Sequence, residues 1–422
     1  SPDIYGYSKR AMGMGNAGIA LPNSYDSLPL NPANLGYLKN ATLAIDVNWA
    51  APRLWVDHAS PEAPVFAPVL PEDNVEIGLA YATPLGSVFR ERVSLAFMLL
   101  VPLSKKTRPG SDDYRRPQFP QYDTTPEMIV AMAGAGVRIL DGLSLGAGVS
   151  IFGYLEGSST VDISLAGQAV TRKDVRMDIK PSAAPYLGLT WYPFVGDHDW
   201  PSGLSVGFAW QGAMSGDYDL PIDVMIAELG RMRFDLSGSA LYVPHRLGVG
   251  LGGEWPAIGL AAALDARLWL YSAMPPISST VGMHLDDRAL DPESPVTLVH
   301  PVSPEVPTQT KDSWELNAGL EWTAASWLRL RGGYLYRASP YPRQTGHTNT
   351  LDRDVHGLTA GLGLHLATGD DGEGLSLDIA GSIYLLGEET ITKADAEDRE
   401  QSGDYRFGGE TMFLGASIRR DF

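Results

Sequence analysis

Apolar and polar residues alternate one by one along most of this chain. In the run from Ser313 to Trp322, Trp314, Leu316, Ala318, Leu320 and Trp322 fall on one face, and Ser313, Glu315, Asn317, Gly319 and Glu321 on the other. A period of two belongs to a β-strand, whose side chains point alternately to the two faces of a sheet. In a sandwich the apolar face would pack on a second sheet. Here nearly every strand pairs an apolar face with a small or polar one. The pattern predicts an all-β, transmembrane, antiparallel β-barrel with lipid outside and a polar lumen, because in hydrocarbon a sheet must close to satisfy its backbone.

Fourteen strands are predicted, at about 41–55, 75–83, 92–103, 125–139, 143–157, 174–192, 203–213, 231–254, 258–272, 311–323, 326–338, 353–368, 373–386 and 404–422. The span 231–254 is long enough to hide two shorter strands. An even count suits a bacterial single-chain barrel. Short connections such as Asp141-Gly142 and Ala324-Ala325 alternate with longer ones, the longest at about 273–310. That alternation predicts short periplasmic turns, long external loops and both termini on the periplasmic side of an outer membrane. The link from Pro193 to Ser202 is longer than this rule prefers. Residues 1–40 lack alternation and are rich in Gly, Asn, Pro and Ala. They read as an irregular N-terminal segment, leaving 41–422 for the barrel.

Aromatic residues fit the same topology. Trp191, Trp255, Trp322 and Phe422 are expected outside at the periplasmic interface, and Trp210, Tyr334 and Tyr336 near the external one. Four outward positions strain the scheme: His245, Arg420, Pro181 and Pro185. Arg420 lies two residues from Phe422, where an exposed charge costs about 0–1 kcal/mol. Two prolines in one strand remove ladder donors and predict a bulge or bend.

Composition narrows the functions. No apolar run reaches the length of a membrane helix; the longest, Val93 to Leu103, is broken by Ser94 and Pro102. The net charge of −18 argues against nucleic-acid binding. With no cysteine, disulfides and thiolate chemistry are excluded. Ser1 reads as a terminus exposed by export or as a cloned start. Glu388, Glu389, Asp395, Glu397, Asp398, Glu400 and Asp404 face only Lys393 and Arg399 in one predicted external loop. A solvated acidic loop is the plain reading; a contact to lipopolysaccharide or a divalent cation is the functional one.

Several motifs look chemical in isolation. Gly13-Met14-Gly15-Asn16-Ala17-Gly18 matches G-x-G-x-x-G, but no buried strand precedes it and Pro22 follows too soon for a supporting helix. Gly142-Leu143-Ser144-Leu145-Gly146 and Gly203-Leu204-Ser205-Val206-Gly207 match G-x-S-x-G. Both lie in period-two strands rather than at a strand-to-helix elbow. The eight histidines show no metal-ligand spacing. No enzyme activity, metal or cofactor is expected, a rim hydrolase built from loop Asp, His and Ser being the residual alternative.

The predicted lumen says more. Asp265, Arg267, Arg329 and Arg331 point inward, where pairing across the wall or to a plug is the plain reading and ligand contact the alternative. Ala96, Met98 and Leu100, beside Met128, Val130 and Met132, also point inward. Such an apolar patch is odd in a water-filled pore. It suits packing against the N-terminal segment, or a slide for an apolar ligand, for which methionine is adaptable.

Residues Arg10-Ala11-Met12-Gly13-Met14-Gly15-Asn16-Ala17-Gly18, then Asp26-Ser27 and Asn31-Pro32-Ala33-Asn34-Leu35, resemble the N-terminal hatch of the FadL-type family of outer-membrane fatty-acid and hydrocarbon transporters. Asn34 stands where that family has glycine, and Pro29 and Leu30 where it has tyrosines. Val243 to Gly250, Trp314 through Trp327 to Pro340, and the terminal Phe422 extend the resemblance, which is weak over 56–125. It implies a fourteen-stranded barrel whose lumen is plugged by residues 1–40, with Met12, Gly13, Met14, Gly15, Asn16, Asn31, Pro32, Ala33 and Asn34 in the gate. It further implies passive passage of long-chain fatty acids or other hydrophobic compounds, with sideways exit into the membrane. Ala96, Met98, Leu100, Met128, Val130 and Met132 would line the route, and Arg329 or Arg331 would hold a ligand carboxylate. Expected partners are an apolar ligand, lipid or detergent, and lipopolysaccharide, around a monomer. The competing reading is an envelope scaffold that docks other proteins in secretion.

Overall fold

The computed structural model describes all residues except 1–5, 23–24, 60–67, 87–88, 90, 104–115, 124–128, 165–168, 195–202, 227–229, 275–279, 287–309, 346–347, 369–373 and 394–402. The alternating runs form strands β1 (Thr42–Ala59), β2 (Asn74–Pro84), β3 (Val93–Pro102), β4 (Ile129–Leu140), β5 (Leu143–Ser164), β6 (Ala169–Trp191), β7 (Leu204–Gln211), β8 (Met214–Ile226) and β9 (Gly230–Val243). They continue with β10 (Arg246–Trp255), β11 (Leu260–Trp269), β12 (Thr280–Asp286), β13 (Ser313–Ala325), β14 (Leu328–Arg337), β15 (Val355–Thr368), β16 (Gly374–Lys393) and β17 (Gly403–Asp421). Fourteen of them pair antiparallel in the ring β1 to β7, β10, β11, β13 to β17, and β17 returns to β1 from Thr42↔Asp421 to Ala59↔Asp404.

The count of fourteen holds, with one change of membership. The span 231–254, read mainly as one strand, is two. It breaks at Pro244-His245 between β9 and β10, and only β10 joins the ring. β8 and β12 lie in predicted loops; with β9 they form an extension whose β8 runs parallel to β5 over Ser159↔Ile222 to Ile163↔Ile226. The expected turn Ala324-Ala325 belongs to β13, and the chain reverses at Ser326-Trp327 instead. The long link 193–202 falls mostly outside the described residues, as do Met128, Asp395, Glu397, Asp398, Arg399 and Glu400.

The prolines of β6 mark where a ladder stops rather than a bulge. β6 pairs with β7 only from Tyr186↔Gln211 to Trp191↔Val206. Just above, the Pro185 carbonyl still accepts from Gly212 N at 2.8 Å, so Pro185 turns its donor-less nitrogen toward the β7 side. His245 is accommodated at the rim, stacked on Trp210 and accepting from Ala213 N at 3.1 Å. Arg420 lies over the Phe422 ring, 5.8 Å from its centroid.

The outer face is apolar. Ile45, Val249, Leu251, Leu264, Leu320, Leu358, Leu414 and Ile418 each expose more than half of their surface, while their neighbours Asp46, Asp265, Glu321 and Ser417 are buried. No aqueous protein surface holds so continuous an apolar band, and the chain spans a membrane as a barrel. Trp314 and Trp322 sit outside at opposite ends of β13, roughly 20 Å apart in height for a strand tilted by about 40°.

Ahead of β1 the chain, over its described residues, is inside this ring. It forms α1 (Lys9–Gly13), α2 (Ser27–Leu30) and a 3₁₀ turn over Pro32–Tyr37. Ser8 caps α1 by accepting from Ala11 N, and its hydroxyl donates to Asp26. The segment bonds inward-facing residues of β1, β5, β6, β7, β11, β13 and β15, which surround it.

Candidate functional site

The wall receives the N-terminal segment on a lining of glycines, and this explains both serine motifs. Ser144 donates to the Ala33 carbonyl at 2.6 Å and Ser205 to that of Ala20 at 2.5 Å. A Cβ on neighbouring Gly146 would lie 2.2 Å from Ala33 N, and one on Gly207 would lie 2.5 Å from the Ile19 carbonyl oxygen. The glycines admit a second backbone and the serines bind it. The nucleotide-like run works in the same way. Gly15 takes φ 67°, and a Cβ there would lie 2.8 Å from the Tyr334 carbonyl oxygen. Its N–H donates to Thr359 and its carbonyl accepts from Asn317.

Charge holds one flank of the segment. Arg10 makes a two-pronged contact to Glu321, both distances 3.1 Å, and Arg331 shares that carboxylate at 2.6 Å while also reaching Asp378 at 2.5 Å. Asp265 accepts from the backbone of Gly18 and Ile19. Its neighbour Arg267 binds Glu315 at 2.9 Å and the Asn16 carbonyl. Lys9, fully buried, donates to Asn48 and lies 3.7 Å from Asp46. These pairs sit in a low-dielectric interior, where each ion depends on its partner. The expected pairing of Asp265, Arg267 and Arg331 to wall and plug is what the structure contains. Arg331 is committed there, and Arg329 lies one inward position lower, half-buried.

The opposite flank is apolar. Ala96, Met98, Leu100, Val130 and Met132 form one buried cluster with Phe152, Ala184 and Tyr186 of the wall and with Tyr25, Leu28, Leu35 and Leu38 of the N-terminal segment. Leu28 reaches the inner side of β4, where Gly134 leaves the space; a Cβ there would lie 2.5 Å from its Cδ1. Here the segment forms no ion pair with the wall among the described residues: Asn31 bonds the Leu189 carbonyl and Thr190, Asn34 accepts from Thr190 at 2.6 Å, Tyr25 donates to Asp46 at 3.2 Å, and the Pro29 carbonyl accepts from Arg246 at 3.0 Å. Gly13, Gly15 and Asn16 thus lie on the flank that carries the ions, with Met12 and Met14 packed in apolar clusters of their own, and Asn31, Pro32, Ala33 and Asn34 stand against the glycine and methionine wall.

Loops close in from the other end. Phe119 and Tyr122 of α3 (Pro120–Asp123) and its approach are buried beside Leu351, Tyr384, Phe407 and Met12. Backbone bonds tie Gln118 to Asn349 and Leu351, and Val69 to Pro117. Sequence reasoning missed this cap because its residues carry no periodicity.

No protein-family model matches the chain, and no curated protein matches it in sequence. Solved structures do match. A FadL homologue of Pseudomonas aeruginosa aligns with a TM-score of 0.63 at 14% identity, covering 98% of this chain and 98% of that one. The toluene transporter TbuX of Ralstonia pickettii gives 0.57 at 13% identity, covering 100% and 99%. The toluene transporter TodX of P. putida gives 0.58 at 15% identity, again covering 100% and 99%. The chain has the fold of these barrels along its whole length.

Proposed function

We propose that this barrel passes hydrophobic small molecules, fatty acids or hydrocarbons, through the outer membrane without an energy source. The observation that carries the reading is the apolar cluster at Ala96, Met98, Leu100, Val130 and Met132, turned into the bore rather than to lipid. A water-filled pore gains nothing from it, whereas an apolar solute leaves water for it favourably. Residues 1–40 act as the hatch: with Leu28 and Leu35 seated, the cluster is covered, and their withdrawal opens the route. Both termini then lie on the periplasmic side, at the end with the short turns, and the chain works as a monomer whose rim meets lipopolysaccharide.

Exit runs sideways. On the outer face a groove of about 690 Å3 is lined by Tyr81, Leu95, Phe97, Ala133, Ala147 and Val149, with Gly134 and Gly148 in its floor. Leu28 lies directly behind those glycines, so only backbone separates bore from lipid. The transport reading is tested by uptake of toluene and oleate into proteoliposomes and intact cells. Met98→Asp with Met132→Asp in a folded barrel is expected to abolish uptake of both. Unchanged uptake would remove the cluster from the route, and a stable protein partner recovered with a barrel that passes neither compound would favour the scaffold.

A further inference from the structure

A second apolar cluster lies under the mouth, on β14 to β17 and β1, and shares no residue with the methionine cluster. Leu54 of β1, Tyr384 of β16 and Phe407 of β17 belong to its wall; Leu351 joins it from a loop and Met12 from the N-terminal segment. Phe119, the residue ahead of α3, roofs it. Phe119 has no exposed surface, and its ring meets that of Phe407 edge-on with centroids 6.2 Å apart. Tyr384 and Phe413 pair at 4.8 Å in the same cluster. The segment that carries Phe119 comes from the connection between β3 and β4. It is fastened at Gln118, whose N–H donates to the Asn349 carbonyl at 3.0 Å and whose carbonyl accepts from Leu351 N at 2.8 Å. Gln121 Nε2 donates to the Tyr271 hydroxyl at 3.2 Å, and the Tyr122 hydroxyl accepts from Arg337 at 3.4 Å.

A solute that enters by the mouth reaches Phe119 and Tyr122 before it reaches Met12. The phenylalanine side chain is toluene with one methyl hydrogen replaced by the backbone, so the seat of Phe119 has the size of a single benzene ring. We infer that this seat is a binding site for a monocyclic aromatic hydrocarbon arriving from outside, and that Gln118 to Tyr122 form its lid, which opens when the hydrocarbon takes the place of Phe119. Exchanging one ring for another leaves the apolar contacts nearly even. An aromatic ring also keeps the edge-to-face geometry with Phe407, which a saturated ring of the same size cannot, having no negative face and positive edge. Tethering sets the balance: a ring carried on the chain competes at an effective concentration on the order of millimolar. The site therefore fills when solute is abundant outside, and a poorer tethered side chain at 119 strengthens ligand binding. The inference uses no residue of the methionine cluster, so it stands or falls apart from the route proposed there.

Backbone hydrogen exchange at Gln118 and Leu351, the two donors that hold the lid at its start, reads its opening in the full-length barrel in non-ionic detergent. Toluene and methylcyclohexane are compared at equal mole fractions in the micelle. Toluene at saturation is expected to speed exchange at both positions, and methylcyclohexane to need about two- to tenfold more for the same effect, the range for one aromatic pair. Phe119→Leu should lower the toluene requirement several-fold. Gln118 and Thr350 form a β-bridge, so Gln118→Cys with Thr350→Cys places a disulfide across the lid in a chain that has no other cysteine. Oxidised, this pair should cut toluene uptake by intact cells several-fold; reduced, it should restore it. Folding of each variant is checked by its heat-shifted migration. Exchange that ignores saturating toluene, or answers both hydrocarbons equally, overturns the site. Equal uptake by the oxidised and reduced pair overturns the lid. Should the pair not fold, Phe119→Leu decides: an unchanged toluene requirement means that Phe119 is packing alone. If Met98→Asp with Met132→Asp keeps its uptake while toluene still opens the lid, the route through the methionines fails and this site remains.

Discussion

The two flanks of the N-terminal segment meet the same wall by opposite means. Residues 9–19 are fastened by buried ions: Lys9 at Asn48 and Asp46, Arg10 at Glu321, and Gly18 and Ile19 at Asp265. Residues 25–38 lie on methionine, alanine and glycine, with leucines as the main filling. Ion pairs are directional and fail abruptly when one member is lost, whereas apolar packing is non-directional and can be replaced by an apolar ligand. Under the proposed function, the first flank anchors the segment and the second is the one that opens.

The largest expected effect comes from the anchor. Glu321→Ala leaves Arg10 without its carboxylate and Arg331 with Asp378 alone. Breaking a buried pair in this way costs about 3–5 kcal/mol. The temperature at which the barrel loses its heat-shifted migration should fall markedly, and an unchanged temperature would remove the ions from the anchoring role. A smaller effect is expected on the other flank. Gly146→Val places a side chain where a Cβ already lies 2.2 Å from both Ala33 N and Pro32 C, an overpacking of about 1–3 kcal/mol. Limited proteolysis should then cut within 25–38 while 9–19 stays protected; equal cutting in both would mean that the segment moves as one body.

The mildest contrast lies at the mouth, outside hydrocarbon. Burial raises the Asp352 carboxyl to about 6, against the opposing charge of Arg337 and a bond from Ser339 Oγ at 2.8 Å. The folded loop thus holds the proton more tightly than the unfolded chain, so its stability rises as pH falls from about 6 toward 4. Hydrogen exchange over 339–354, corrected for its intrinsic pH dependence, should slow between pH 7 and 5. Asp352→Asn should abolish that response, and neither flank of the N-terminal segment should share it.

Much of this was legible in the chain. Alternation located all the ring strands apart from the division at Pro244, because lipid outside and a lined bore inside impose opposite chemistry on successive residues. Asp265, Arg267 and Arg331 were read as pairing residues because inward charges need partners. The glycines of the two G-x-S-x-G runs were set aside as strand residues, correctly, but their purpose was invisible: nothing local tells a glycine that makes room for a distant backbone from one that merely faces a lumen. Arg246 was likewise read only as part of a resemblance. Its surroundings, the rings of Trp269 and Tyr186 and the Pro29 carbonyl, come from parts of the chain far from it in sequence and meet it only once the strands are side by side.

The sequence by itself determined that the chain is a barrel, which residues face lipid and where charge enters the bore, since these follow from a two-residue period read against a membrane. Tertiary structure alone decided that β8, β9 and β12 leave the ring and that Arg10 finds Glu321. It also decided that Leu28 joins Met98 and Met132 in one buried cluster. Those outcomes depend on which strands become neighbours and on what fills the space they enclose. A periodic pattern specifies the face a residue takes, not the partner waiting on that face.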